Sequence, residues 1–230
     1  MKNWFIIVGL VLVVSARAGE TNTTLQPVAD PGLVLADLQH KMASLESVYF
    51  EFTQERQLQL FAEPLKSEGV MLIANPGQIR WETTTPYESI LLGNQKSVAQ
   101  FERTSGEWKK LKLGFPQMLK RVMDQMTLMH QGKLDALTSD FTVSVATGHV
   151  AVVTLVPKDE NVRTMLASLE IIMQPDFSGS REVVMHEPGG DFTRIIFNRE
   201  KRNVKFPPGT FDQTKPLDLG PIRTAVADTP

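Results

Sequence analysis

The feature that most constrains this chain is the close spacing of short alternating segments that begins at Tyr49. Phe50 and Phe52 alternate with Glu51 and Thr53, the period of a half-buried strand. Strand-like pieces follow at 68–74, 78–83, 88–92, 97–101 and 107–113. Turn signals separate them: Asn75-Pro76-Gly77, Thr85-Pro86, Gly93-Asn94 and Ser105-Gly106. Crossover helices do not fit into such short gaps, so the strands are expected to pair antiparallel. Further strands are expected at 141–146, 150–156, 168–173, 182–186 and 191–197, with Gly189-Gly190 turning the last hairpin.

Helical signals are few. Asp30-Pro31 reads as an N-cap followed by the first helical residue. Leu35, Leu38, Met42, Leu45 and Val48 then fall at three- and four-residue steps, one apolar stripe. A second helix is expected over 116–130, a shorter one near 134–137 and a brief helical piece at 161–166. About eleven strands with so few helices predict one mainly β domain with an α-helical cover. A large antiparallel sheet curls, and the helices are the natural cover of its concave face.

The first eighteen residues read as a signal peptide: Lys2, an apolar run from Phe5 to Val14, and Ser15-Ala16-Arg17-Ala18 before the cut. The apolar run is about ten residues, short of the ~20 that span a bilayer. Residues 19–29 read as a flexible leader, 30–212 as the domain and 213–230 as an extended tail; from Pro207 onward the chain is expected to lie extended on the surface. Removing Lys2 and Arg17 leaves 22 basic against 26 acidic residues, a net charge of −4, and the basic residues are scattered. Nothing there fits a nucleic-acid binder. The chain has no cysteine, hence no disulfide and no lipid-attachment cysteine, so stability is expected from packing in a core that 42% hydrophobic content can build.

Catalytic and metal signals are missing from the pattern. His40, His130, His149 and His186 lie far apart, in different elements, without the spacing of metal ligands. Ser178-Gly179-Ser180 lacks the strand-to-helix context of a nucleophile turn. Glu51, Glu55, Glu68 and Glu82 read as solvated surface acids. No enzyme activity, metal or cofactor is expected.

What remains is apolar. Phe50 and Phe52 share a face of one strand, as do Met71 and Ile73, Ile79 and Trp81, and Ile90 and Leu92. These pairs suit either an ordinary sandwich core or the wall of an apolar binding site. The 116–130 helix carries Met118, Met123, Met126 and Met129. Methionine repacks around variable apolar shapes, yet Met118, Val122, Met126 and Met129 equally trace a core stripe.

In order and spacing these residues resemble the LolA family of periplasmic outer-membrane lipoprotein carriers. The first helix followed by Phe50-x-Phe52-Thr53-Gln54 has the family's opening pattern. Its glycine, strand, x-Pro turn and Arg-Trp segment correspond to the stretch from Gly69 through Asn75-Pro76-Gly77 to Arg80-Trp81. Pro86-Tyr87-Glu88-Ser89-Ile90-Leu91, Thr193-Arg194-Ile195-Ile196-Phe197 and Phe206-Pro207-Pro208-Gly209-Thr210-Phe211 fit the next strand, the closing strand and the tail. The similarity runs from about Leu33 to Phe211.

The resemblance implies an unclosed antiparallel β-barrel of eleven strands with helices forming a lid over an apolar cavity. It implies a soluble, monomeric periplasmic carrier that takes acylated lipoprotein or lipid-like cargo from an inner-membrane releasing transporter to an outer-membrane acceptor. Phe50, Phe52, Met71, Ile73, Ile79, Trp81, Ile90 and Leu92 are then expected to line the cavity. Leu35, Leu38 and Met42, with Met118, Val122 and Met126, are expected in the lid. The family commonly carries an arginine before the turn proline, latching the lid, and this chain has Asn75 there. Asparagine lacks the charge and the five-donor fork. A lid latched differently or more loosely is expected, with a cargo other than the general lipoprotein pool. The same half-barrel also serves periplasmic stress-response regulators, so a sensing module is the alternative reading.

Overall fold

The computed structural model describes residues 25–113, 120, 124, 127–128 and 133–212. Asp30 caps α1 (Pro31–Met42) by accepting the Gly32 N–H on Oδ1 at 2.9 Å, with Pro31 at the start of the first turn. Leu35, Leu38 and Met42 come round to one side of this helix and are buried. Lys120, Asp124, Thr127 and Leu128 are helical, and a 3-10 turn (Leu134–Ser139) and α2 (Glu160–Arg163) follow. Among the described residues no helix is long and apolar enough to cross a membrane.

All twelve strands among the described residues join one sheet. They are β1 (Gln26–Pro27), β2 (Ser47–Gln57), β3 (Leu65–Ala74), β4 (Gln78–Thr85), β5 (Ser89–Gly93), β6 (Val98–Thr104) and β7 (Glu107–Lys110). β8 (Phe141–Thr147), β9 (Ala151–Pro157), β10 (Ser168–Met173), β11 (Ser180–His186) and β12 (Phe192–Arg202) complete it. Their order is β1-β8-β9-β10-β11-β12-β2-β3-β4-β5-β6-β7, so β1 and β7 are the edges and the barrel does not close. Every pairing is antiparallel, as short connections require. The strand beyond the expected eleven is β1: Gln26 and Pro27, assigned by sequence to the flexible leader, pair with Thr147 and Ala146 of β8.

Directly opposed residues share a face, so the register fixes what lies inside. The row Phe50–Met71–Trp81–Leu91–Gln100 crosses five strands on the inner face. The flanking rows are Val48–Ile73–Ile79–Gly93 and Phe52–Gly69–Thr83–Ser89. α1 covers this face and packs against the 3-10 turn and β8; Leu38 and Leu137 are both fully buried in the same core as Phe50, Met71 and Ile195.

The outer face is also buried. Tyr49, Val70 and Leu72 pack against Val204, Phe206 and Phe211. Arg80 and Glu82 lie under the same cover, 0% and 2% exposed, with Glu82 Oε1 accepting from Arg80 Nε and Arg80 Nη1 donating to the Thr210 carbonyl at 3.0 Å. Burial pushes the Arg80 guanidinium below its ordinary pKa, and the Glu82 charge opposes this. The expectation of an extended surface tail from Pro207 is therefore corrected as far as Asp212. Thr210 is 1% exposed because the segment from Val204 turns across hydrophobic side chains that no strand or helix covers.

Candidate functional site

The inner face does not fill completely. A cavity of about 460 Å³ lies beneath α1 and the link that follows it, roofed by Met42 and Leu45. Its floor comes from the row Phe50, Met71, Trp81 and Leu91 with Ile73 beside it. The other half of the sheet supplies Leu169, Val183, Met185, Ile195 and Phe197. The Phe50 and Phe197 rings meet at 4.7 Å, joining the two walls across the β2–β12 pair. The cavity opens beside Tyr87 and Met165, which line it yet stay 55% and 37% exposed.

Of the eight wall residues expected from sequence, Phe50, Met71, Ile73 and Trp81 reach the cavity surface. Phe52 and Ile79 lie on the same face but beneath it, 2% and 1% exposed. Phe52 supports Trp81 edge-on at 5.1 Å between centroids. Its ring crosses Gly69, where a Cβ would come within 2.9 Å of Phe52 Cζ and 1.8 Å of the Glu82 carbonyl oxygen. Glycine at 69 is what lets the Phe52 ring cross β3 here and the Glu82 carbonyl approach so closely.

Ile90 and Leu92 are corrected. They oppose Glu82 and Arg80, so they point to the outer face, while Ser89 and Leu91 point inward. The physical reason is burial on both faces. β5 reads Ser-Ile-Leu-Leu-Gly, and a strand covered on both sides loses the alternation that would reveal its orientation. Glu82 is corrected with them, being paired in the interior rather than solvated.

On α1, Met42 lines the cavity, and Leu35 and Leu38 sit in the adjoining core. Met118, Val122 and Met126 lie outside the described residues. Asn75 bonds the link between α1 and β2: its Nδ2 donates to the Leu45 carbonyl at 3.0 Å and its N–H to the Glu46 carbonyl at 2.9 Å. The next turn holds Gly77 at φ +69°, where a Cβ would come within 3.8 Å of Thr127 Cγ2.

The sequence reading missed the wall from β10 to β12, although Val183/Met185 and Ile195/Phe197 carry the same alternation it used elsewhere. It also missed the polar lining residues Gln54, Thr83, Ser89, Gln100, Ser180 and Thr193. Among the described lining residues the ionisable side chains are Tyr87, Glu187 and Glu200, and none is cationic. Glu187 meets Arg56 at 3.3 Å and Glu200 meets Arg202 at 2.7 Å. No group of three histidine or acidic side chains among the described residues could hold a metal ion.

Residues 43–214 match the family described as outer membrane lipoprotein carrier protein LolA. The chain belongs to the LolA family. Similar LolA-family relatives include an outer-membrane lipoprotein carrier protein of Bordetella avium (strain 197N), 26% identical over 206 residues that cover 84% of this chain and 91% of that one. Another, from Pseudomonas putida (strain GB-1), is 25% identical over 212 residues, 91% of this chain and 96% of the relative. Among solved structures, a LolA superfamily protein from Nitrosomonas europaea aligns with 78% of this chain and 97% of its own, at 9% identity and TM-score 0.43. The LolA match begins in the link after α1 and ends just beyond the segment that buries Arg80, so it takes in every described strand except β1.

Proposed function

We propose that this chain is a non-enzymatic carrier that holds the acyl chains of lipoproteins, or of another lipid-like cargo, in the inner-face cavity. It takes them across the periplasm, from a releasing transporter in the inner membrane to an acceptor in the outer membrane. The observation that carries the reading is the apolar row Phe50–Met71–Trp81–Leu91 beneath Met42 and Leu45, in a space that reaches solvent beside Tyr87. An acyl chain in water costs about 0.8 kcal/mol for each exposed methylene, so a diffusing carrier needs such a container. In this reading Leu35, Leu38 and Met42 make α1 a lid, and Asn75 holds the link on which the lid turns. The family membership and the signal-peptide pattern support the same assignment.

The test is mass spectrometry with lipid extraction on the protein purified from its own periplasm. A bound lipoprotein or lipid is expected, and Trp81→Glu is expected to lower its occupancy more than ten-fold, because a carboxylate in an apolar wall is desolvated with no cation beside it. An empty wild-type protein that also extracts no lipoprotein from spheroplasts would refute transport and leave partner sensing as the better reading.

A further inference from the structure

The cavity is zoned along the strands. Its apolar floor is the row through Trp81 and Leu91, and the next position toward the mouth on the same strands is polar: Thr83 and Ser89, directly opposed. Gln54 stands beyond Phe52 on β2, and Thr193 beyond Ile195 on β12, toward the same end. Two residues of a strand advance about 7 Å, so the polar zone begins roughly that far from the floor row, between it and the mouth at Tyr87.

These four side chains have no hydrogen-bond partner among the described residues. Ser89 and Thr193 are only 8% and 9% exposed. A buried hydroxyl without a partner costs about 1–3 kcal/mol, which a ligand atom bonding to it would remove. The lining itself supplies no spare cation for an anion: its charges are Glu187 and Glu200, and the arginines that meet them, Arg56 and Arg202, are outside the lining and already paired.

Resting on the carrier reading above, we infer that Gln54, Thr83, Ser89 and Thr193 form a headgroup subsite for an uncharged ester- or hydroxyl-bearing amphiphile whose acyl chain lies on the Trp81–Leu91 floor. Hydroxyls and a carboxamide both donate and accept, so they suit ester carbonyls and free hydroxyls. A carboxylate or phosphate head at the same place would be desolvated with no unpaired cation in the lining to receive it.

The experiment is competition for the purified full chain against a fluorescent headless hydrocarbon, diphenylhexatriene, using monooleoylglycerol, oleate at pH 8 and 1-octadecene. Monooleoylglycerol is expected to compete at least ten-fold more tightly than either of the others. Thr83→Val/Thr193→Val removes two hydroxyls at nearly constant volume. It is expected to weaken monooleoylglycerol about ten-fold relative to 1-octadecene measured on the same variant, the effect of two ordinary hydrogen bonds. Ser89→Ala gives a second, smaller test should the double variant not fold. Oleate binding as well as the glyceride, or a glyceride affinity unmoved in folded variants, overturns the subsite. Failure of diphenylhexatriene and every acyl compound to bind overturns the carrier reading itself.

Discussion

Arg80→Met should be among the most damaging single substitutions in this chain, although it lies on the face away from the cavity. Arg80 is fully buried and bonds both Glu82 and the Thr210 carbonyl. Methionine fills most of the space but leaves the Glu82 charge buried without its cation, and breaking such a pair costs about 3–5 kcal/mol. The Thr210 carbonyl, losing its donor, adds about 1 kcal/mol. With a urea m-value of about 2–3 kcal/mol/M, the unfolding midpoint should fall by roughly 1.5–2.5 M. Replacing both partners, Arg80→Met/Glu82→Leu, removes the stranded charge and should lie within about 2 kcal/mol of wild type, because apolar replacement of a buried pair is often neutral. Urea titrations of the wild type, both singles and the double complete the cycle, and amide exchange over 204–212 reports whether the cover loosens. A double variant as unstable as Arg80→Met would refute the reasoning. The loss would then lie in packing or in the contact with Thr210, not in the stranded carboxylate.

Gly69→Ala should destabilise by more than about 2 kcal/mol and shift Trp81 fluorescence, because the new methyl meets a backbone oxygen that cannot move aside; an unchanged melting temperature would contradict so close an approach of β3 and β4. Asn75→Ala should cost about 1 kcal/mol and raise amide exchange over the link at 43–46, where its Nδ2 bonds the Leu45 carbonyl. Asn75→Arg should slow both lid opening and cargo release, and unchanged rates would remove Asn75 from lid control. Asp176 accepts from the Ser178 N–H and Oγ at 3.0 and 2.6 Å, which holds its carboxyl below the usual range. A depressed folded value stabilises above the unfolded pKa and is lost as pH falls through the folded one, so Asp176→Ala should flatten the acid limb of a stability–pH curve; an identical limb would show no linkage.

The strand plan was legible because its signals are local. Period-2 runs between Pro, Gly and Asn turns place β3, β4 and β5 almost where they lie, and Asp30-Pro31 marks the start of α1. The faces were legible only where one side of a strand meets something polar. β3 buries Val70, Met71, Leu72 and Ile73 in succession, and no residue of β5 is fully exposed, so orientation depends on register with β4. The outer cover was hidden for another reason. Val204, Phe206 and Phe211 sit in a Pro- and Gly-rich stretch with no period, and their partners are more than a hundred residues earlier. The polar zone of the cavity was overlooked because Thr83, Ser89 and Thr193 read as ordinary strand residues until pairing sets them around one space.

Among the described residues the sheet stops short of closure and keeps two margins, and such margins are templates for association between molecules. Here both are blunted. β1 is two residues long and includes Pro27, which has no N–H to offer; β7 is four residues long and ends in exposed Lys109 and Lys110. An incoming strand would find few donors on one side and positive charge on the other. The open seam of the barrel can therefore persist at high protein concentration without inviting a second copy to extend the ladder, so aggregation should appear when Lys109 and Lys110 become valine, even while the cavity stays intact.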